Sequence, residues 1–162
     1  MIVHPIKPLY NSSSKILILG SFPSVKSREE GFFYSHPQNR FWRVMASVCS
    51  SEIPQTIPEK KRLILDNEFA LWDVIHSCDI SGSSDSSIKN VAPNNIGIIL
   101  ENSNVNRIFV NGKKAESLYK KYIEKQVGIE AVCLPSTSPA NAQWNLEQLT
   151  DYWKSMLNTS LL

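Results

Sequence analysis

The stretch KILILG, residues 15–20, is a short apolar run that ends at a glycine. A strand buried on both faces has this appearance, because neither face meets water and apolar side chains need not alternate with polar ones. Three further stretches resemble it: residues 70–75, 107–111 and 129–134. The sequence therefore predicts four buried strands.

Segments with helical patterns lie between and after these runs. They cover residues 37–49, a segment that begins at Pro58 and includes Leu63 and Ile64, and residues 95–102, 113–126 and 145–157. Strands that alternate with helices require crossover connections, which give a parallel sheet with helices on both faces. We therefore predict an α/β fold. The length of 162 residues and the 42% hydrophobic composition suit one domain over residues 1–162.

Composition also limits the location of the protein and its cofactors. The sequence shows no apolar stretch near 18 residues and no basic-then-apolar leader, so we expect neither a membrane span nor a signal peptide, and a cytoplasmic location. The three cysteines, Cys49, Cys78 and Cys133, are far apart, as are His4, His36 and His76. Scattered cysteines suit a reducing compartment. Neither the cysteines nor the histidines have the spacing of metal ligands, so the sequence predicts no metal site. A net charge of +2 is too small to establish nucleic-acid binding.

Three polar loops follow predicted strands, at residues 21–38, 77–95 and 135–144. They should lie together, because the working site of a parallel sheet is found outside the carboxyl ends of its strands. The first loop begins with GSFPS, which lacks the glycine spacing of dinucleotide and triphosphate cradles. The acidic residues form no obvious pair, and Asp73 lies within an apolar run. The sequence therefore predicts no cofactor and gives no indication of two-carboxylate hydrolysis.

The first loop instead concentrates aromatic and amide side chains, and a pocket of this kind suits a flat heterocycle. Asn39 should lie just inside the helix that Pro37 begins, with its amide directed back at the strand edge. The alternative is that this amide only bonds nearby backbone at the start of the helix.

The loop after the last strand contains LPSTSPAN, residues 134–141. Its hydroxyl and backbone N–H groups could form a phosphate seat near a helix start. The alternative is a serine-rich turn that caps the last helix.

Together, GSFPS at 20–24, HPQNRFW at 36–42, GSSDSSI at 82–88 and LPSTSPAN at 134–141 resemble the uracil-DNA glycosylase superfamily. The closest resemblance is to its hypoxanthine- or deoxyinosine-DNA glycosylase branch, and it extends over nearly the whole chain. It implies a three-layer α/β/α domain with a central four-stranded parallel sheet. It also implies a monofunctional DNA glycosylase that needs no cofactor. Such an enzyme cleaves the N-glycosidic bond of a deaminated base flipped from double-stranded DNA, and the expected base is hypoxanthine.

The resemblance also implies roles for individual residues. Asn39 corresponds to the catalytic amide of this branch, and Tyr34 to the aromatic side chain that stacks on the base. The remaining base-binding residues are Gly20, Ser21, Phe22, Pro23, Ser24 and His36. The DNA-binding residues are Ser136, Thr137, Ser138, Pro139, Ala140 and Asn141. Because no second subunit is implied, we expect a monomer.

The sequence departs from the related mismatch-specific uracil glycosylases at two positions. Phe22 stands where that branch has an asparagine that positions water, and Ala140 stands where it has a larger apolar wedge. Asn141 or Gln143 is then a candidate to fill the vacated base position. Three alternatives stay open at this point: a uracil glycosylase for G:U mispairs, an inactive damage-binding module of the same fold, and a small-molecule binding protein.

Overall fold

A computed structural model describes residues 1–161, with side chains through residue 158; Leu162, the last residue of the predicted domain, lies outside them. The strands are β1 (Ile2–Val3), β2 (Ile16–Gly20), β3 (Phe69–Asp73), β4 (Ile75–Asp79), β5 (Lys89–Pro93), β6 (Arg107–Asn111) and β7 (Ala131–Leu134). The helices are α1 (Val25–Glu30), α2 (Phe41–Val48), α3 (Ile57–Asp66), α4 (Gly97–Glu101), α5 (Lys113–Tyr122), α6 (Glu124–Val127) and α7 (Leu146–Leu161), and a 3-10 turn covers Asp85–Ser87.

The four predicted strands form one parallel sheet in the order β3-β2-β6-β7. All five residues of β2 and of β3 are buried, which explains why these strands are apolar without alternation. Helices flank the sheet, so the predicted α/β fold is confirmed. The carboxyl ends of β2, β3 and β6 bring Gly20, Asp73 and Asn111 to one edge.

A second, antiparallel sheet in the order β1-β4-β5 was not predicted. The prediction of a strand over residues 70–75 and a loop over 77–95 was wrong, because the chain breaks at Val74 and continues as β4. The amide of Asn94 stabilises this break by donating to the carbonyl oxygens of Asp73 and Ile75, at 2.9 and 3.1 Å. Most of β5 is exposed, so its sequence lacks the apolar pattern that indicates a strand.

Three predicted helices differ clearly in their bounds, and one of them, α7, extends four residues beyond the predicted end at 157. The helix expected from Pro37 begins only at Phe41, and the helix expected over 113–126 is divided into α5 and α6 at Ile123, where the backbone leaves helical geometry. The first loop also contains the short helix α1. Among the described residues, no helix is long and apolar enough to cross a membrane.

Candidate active site

A cavity of about 300 Å³ opens at the carboxyl edge of the parallel sheet. It is lined by all but one of the predicted site residues: Gly20, Ser21, Phe22, Pro23, Ser24, Tyr34, His36, Asn39, Ser136, Thr137, Ser138, Pro139 and Ala140. Asn141 is the exception. The cavity is also lined by Ser27, Asp73 and Asn111, by Phe33 of the aromatic first loop, and by Ser83 and Asp85 of the GSSDSSI stretch, none of which was predicted as a site residue.

The carboxamide of Asn39 is held in one orientation by two hydrogen bonds. Its Oδ1 accepts from the backbone N–H of Phe41 and from the hydroxyl of Thr137, both at 2.9 Å. Asn39 therefore precedes α2, and the prediction that it lies inside the helix was wrong, since its own side chain bonds the first helical N–H. Because Oδ1 is fully engaged, the Nδ2 amino group is the part of the amide available to a ligand. Asn39 therefore both bonds the backbone at the start of α2 and lines the cavity, so the two interpretations of this residue do not exclude each other.

Thr137 connects Asn39 to the end of β6. Its side chain is fully buried, and its Oγ1 accepts from Asn111 Nδ2 at 3.0 Å while donating to Asn39. The backbone N–H of Thr137 in turn donates to Asn111 Oδ1 at 3.0 Å. Residues from three separate parts of the chain are therefore fixed relative to one another.

Tyr34 has a backbone that few aromatic residues adopt, with φ at +52°. Its ring stacks on Phe41 with centroids 4.0 Å apart, and its hydroxyl accepts from Asn111 Nδ2 at 3.3 Å. Burial, and then the charge of Asp73, raise the pKa of the Tyr34 phenol, so it remains protonated. Strained backbone at a pocket residue is consistent with a functional position.

The loop at residues 136–141 is stabilised by its own hydroxyl groups. Ser136 Oγ accepts from the N–H of Ser138 at 3.1 Å, Ser138 Oγ accepts from the N–H of Ala140 at 3.2 Å, and Asn141 Nδ2 donates to the Ser136 carbonyl at 3.0 Å. The alternative that this loop caps the last helix was wrong. Asn145 and Gln148 cap α7 reciprocally, side chain to backbone, at 2.8 and 2.9 Å.

Arg40 joins this loop to the start of α2. Its guanidinium donates to the carbonyl oxygens of Ser138 and Asn141 at 2.8 and 3.2 Å, and it also donates to those of Thr137 and Trp144. The backbone N–H of Arg40 donates to Thr137 as well, at 3.1 Å. One side chain thus binds four carbonyl groups of the loop and its flank, a role the sequence did not reveal.

Several predicted base-binding residues have identifiable local roles. Ser24 is the N-cap of α1, since its Oγ accepts from the N–H of Ser27 at 3.2 Å. His36 Nδ1 accepts from the N–H of Gln38 at 3.1 Å. Phe22 is buried and packs edge-on against the ring of His4, while the Arg28 guanidinium lies 5.5 Å above its centroid. These contacts shape the cavity, and the binding roles stay predictions.

Two carboxylates face the same cavity, although no acidic pair was evident in the sequence. Asp73 is buried at the end of β3, and its Oδ2 lies 2.7 Å from His4 Nε2. Asp85 lies on the serine-rich loop, where its Oδ1 accepts from the Ser21 hydroxyl at 3.2 Å. Sequence reasoning missed them because Asp73 and His4 are 69 residues apart and Ser21 and Asp85 are 64 apart.

The environment of Asp85 favours its neutral form. The cavity wall removes part of its hydration and so raises the pKa of the carboxyl, and the charge of Asp73 acts in the same direction. The Ser21 hydroxyl and the charge of Lys114 act in the opposite direction. Asp85 nevertheless has exposed surface, and we place it at the solvent side of the cavity.

Gly20 allows Asp73 and Tyr34 to approach the end of β2. A Cβ at this position would lie 2.5 Å from Asp73 Oδ1 and 3.0 Å from the Tyr34 hydroxyl. A Cβ contact of 2.5 Å does not occur in real structures, so a larger residue at position 20 would have to displace the Asp73 carboxylate. Within residues 1–161, no group of three or more histidine, cysteine or acidic residues is placed to hold a metal ion.

The fold and cavity define an α/β protein with a polar, aromatic-lined pocket at the carboxyl edge of a four-stranded parallel sheet. The family model of the Uracil DNA glycosylase superfamily matches residues 7–157. The chain therefore belongs to the uracil DNA glycosylase superfamily.

Individual relatives agree with this assignment. A protein of Methanosarcina barkeri named Hypoxanthine DNA glycosylase is 33% identical over 137 residues, which are 83% of this chain and 85% of the relative. A protein of the same name from Methanosarcina acetivorans is 30% identical over 94% of this chain and 96% of its own length. A solution NMR structure of a putative uracil DNA glycosylase from M. acetivorans covers 94% of both chains, with a TM-score of 0.79 and 28% identity.

Proposed function

We propose that this protein is a DNA glycosylase that hydrolyses the N-glycosidic bond of hypoxanthine flipped out of double-stranded DNA. The observation that carries the proposal is the connection of Asn39 to the loop at 136–141 through Thr137, at the wall of a cavity of about 300 Å³. Both relatives described above carry the name of this activity. The cavity volume lies at the lower end of the range for small-molecule sites and suits one base.

The base must first leave the helical stack, at a cost of a few kcal/mol that is smaller at a mispair. Tyr34 offers one ring face to the flipped base, because its other face is covered by Phe41. Base–aromatic stacking contributes about 1 to 3 kcal/mol, which offsets part of this cost. The exposed residues Pro139 and Ala140 at the rim are the proposed contacts with the flanking DNA.

In the reaction, the bond between base and sugar breaks and the base leaves with its electron pair. Asn39 Nδ2 donates a hydrogen bond to an acceptor of the departing base, where negative charge accumulates. A preorganised donor of this kind contributes about 3 kcal/mol, and backbone N–H groups of residues 21–24 are further candidates. Asn39 cannot act as a general base, because an uncharged carboxamide takes up no proton at neutral pH.

Water then bonds to the sugar carbon, and its proton must be accepted. Asp85 is the candidate acceptor, since it has exposed surface at the cavity and is connected to the turn at Ser21. In its ionised form it also stabilises positive charge on the sugar, together with the DNA phosphates. The released base takes up a proton, so atoms and charge balance.

The test is an incubation with duplexes that carry one hypoxanthine, uracil, xanthine or ethenoadenine, followed by alkali to cut abasic positions. We expect release of hypoxanthine without added cofactor and in the presence of EDTA. Affinity for DNA should fall as salt rises, because phosphate contacts release counterions. If the protein binds hypoxanthine-containing DNA but releases no base, it is a damage-binding module, and the glycosylase proposal is wrong.

We further propose that the protein acts as a monomer in the cytoplasm. The cavity is formed by one chain, and the three cysteines are free thiols, as in a reducing compartment. Gel filtration with light scattering would test the first statement: a dimer that persists at micromolar concentration would contradict it.

A further inference from the structure

Asp73 presents a carboxylate oxygen to the cavity that the protein itself does not satisfy. The side chain is only 6% exposed, and its Oδ2 is occupied by His4. Its Oδ1 lies beside Gly20 and the hydroxyl of Tyr34 at the cavity wall. Among residues 1–158, whose side chains the structure describes, no group donates a hydrogen bond to Oδ1. Because no fully buried side-chain oxygen among the described residues lacks a partner, Oδ1 keeps contact with the cavity, and a ligand that displaces water there must supply a donor to it.

His4 fixes which oxygen faces the cavity. The backbone N–H of Ile6 donates to His4 Nδ1 at 3.2 Å, so the proton of the neutral ring is on Nε2 and is donated to Asp73 Oδ2 at 2.7 Å. Phe22 and Trp72 pack edge-on against the imidazole, with centroids 5.8 and 6.4 Å away. The carboxylate is thereby held by a positioned donor and cannot turn freely.

Deamination changes one ring nitrogen of a base from an acceptor to a donor. N1 of adenine carries a lone pair, whereas N1 of hypoxanthine carries a hydrogen, and N3 of cytosine and uracil differ in the same way. We propose that Asp73 Oδ1 accepts a hydrogen bond from this N–H, and so recognises the chemical change made by deamination. The inference builds on the proposed function and names the residue that separates the damaged base from its parent.

The same arrangement rejects undamaged bases. A carboxylate has no hydrogen to donate, so adenine or cytosine would place a ring lone pair against Oδ1 and leave both groups without a partner. Sites built to bond one polar group reject analogues that lack it by about 10⁴-fold or more. Because uracil and xanthine also carry the N–H, Asp73 distinguishes deaminated from intact bases, and the shape of the cavity selects among the deaminated ones.

The Asp73→Asn variant tests this polarity directly. His4 Nε2–H would bond the amide oxygen of the new residue, which turns its NH₂ group toward the cavity, where it opposes N1–H of hypoxanthine and matches N1 of adenine. We expect kcat/KM on hypoxanthine to fall about 100-fold or more, and the ratio of hypoxanthine to adenine release to fall at least about tenfold. Asp79→Asn, at the end of β4 and outside the cavity lining, is the matched control and should leave the ratio unchanged.

Duplexes that differ only in hypoxanthine or adenine at one site are compared by alkali cleavage and, separately, by fluorescence anisotropy. Equal losses on both bases, or no loss, would overturn the role of Asp73 while leaving the glycosylase proposal intact. If the wild type cleaves neither duplex, the binding preference decides. If the wild type prefers hypoxanthine and Asp73→Asn abolishes that preference, Asp73 recognises the base without catalysis. If Asp73→Asn leaves the preference unchanged, or if the wild type shows no preference, this proposal is overturned.

Discussion

The inner and outer walls of the cavity are built in different ways. The inner wall consists of the ends of β2, β3 and β6, where Gly20, Asp73 and Asn111 are held by contacts between residues far apart in the chain. The outer wall consists of the loops at 82–88 and 136–141, where serine hydroxyls form short-range hydrogen bonds within each loop, while Arg28, Arg40 and Thr137 join the loops to the rest of the chain. We expect the inner wall to determine which base is accepted and the outer wall to determine how firmly DNA is bound.

The largest effect is expected at Asn39, where the two walls meet. Asn39→Ala should lower the single-turnover rate about 1000-fold, because it removes a donor to the leaving base. DNA affinity should remain within a few-fold of wild type. Asn39→Asp is the sharper variant, since its carboxylate keeps the bonds from Phe41 and Thr137 but has no N–H to donate. If Asn39→Asp retains most of the activity, the amide serves only the start of α2.

The second largest effect is expected at Gly20, where the side chains of Asp73 and Tyr34 lie close to the end of β2. Gly20→Ala should displace Asp73 or Tyr34, since the added Cβ would lie 2.5 and 3.0 Å from their oxygen atoms. A misplacement of about 1 Å costs on the order of 100-fold in rate. Gly97→Ala in α4 is the control: its added Cβ would lie 3.1 Å from Asn95 Oδ1, away from the cavity lining, so the rate on hypoxanthine duplexes should change little. Rates on hypoxanthine duplexes decide: activity of Gly20→Ala close to wild type would show that the wall can move.

A smaller effect, of a different kind, is expected from the outer wall. Arg40→Ala should weaken binding to all duplexes about tenfold, because three carbonyl groups of the proposed DNA-binding loop and that of Trp144 lose their shared donor. The preference for hypoxanthine over adenine should not change. Arg62→Ala, on the exposed surface of α3, serves as the control. A change in base preference without a change in affinity would reverse the assignment of the two walls.

The smallest effect is on stability and depends on pH. Because folding raises the pKa of Asp85, the folded state binds its proton more tightly, and ionisation at neutral pH destabilises the fold. Asp85→Asn should therefore melt slightly above wild type at pH 7.5. The difference should shrink below the ordinary pKa of an aspartate, where the carboxyl is protonated in both states. Thermal unfolding at pH 7.5 and pH 3.5 tests the sign, and a variant less stable at pH 7.5 contradicts it.

The parallel sheet could be predicted because each of its strands is a continuous apolar run, and such runs are visible without knowledge of the fold. The second sheet could not, since β4 and β5 carry polar residues and β5 is largely exposed. Asn39 and Thr137 were found through the motifs around them. Asp73 was predicted to lie inside a strand over residues 70–75, whereas it is the last residue of β3. Only the folded chain brings His4 to its carboxylate. Long-range pairing of this kind leaves no local pattern.

Thr137 gives the site a reciprocal coupling. Its backbone belongs to the loop at 136–141 that we propose to contact DNA, and its hydroxyl orients the amide of Asn39, so a shift of the loop would change the alignment of that amide. Any free energy by which DNA stabilises the aligned loop must reappear, by thermodynamic linkage, as tighter binding of the base. The same linkage applies after the reaction. A base retained in the pocket strengthens binding of the abasic strand, and departure of the base weakens that binding. Release of the two products is then coupled, because loss of either one weakens the hold on the other through Thr137.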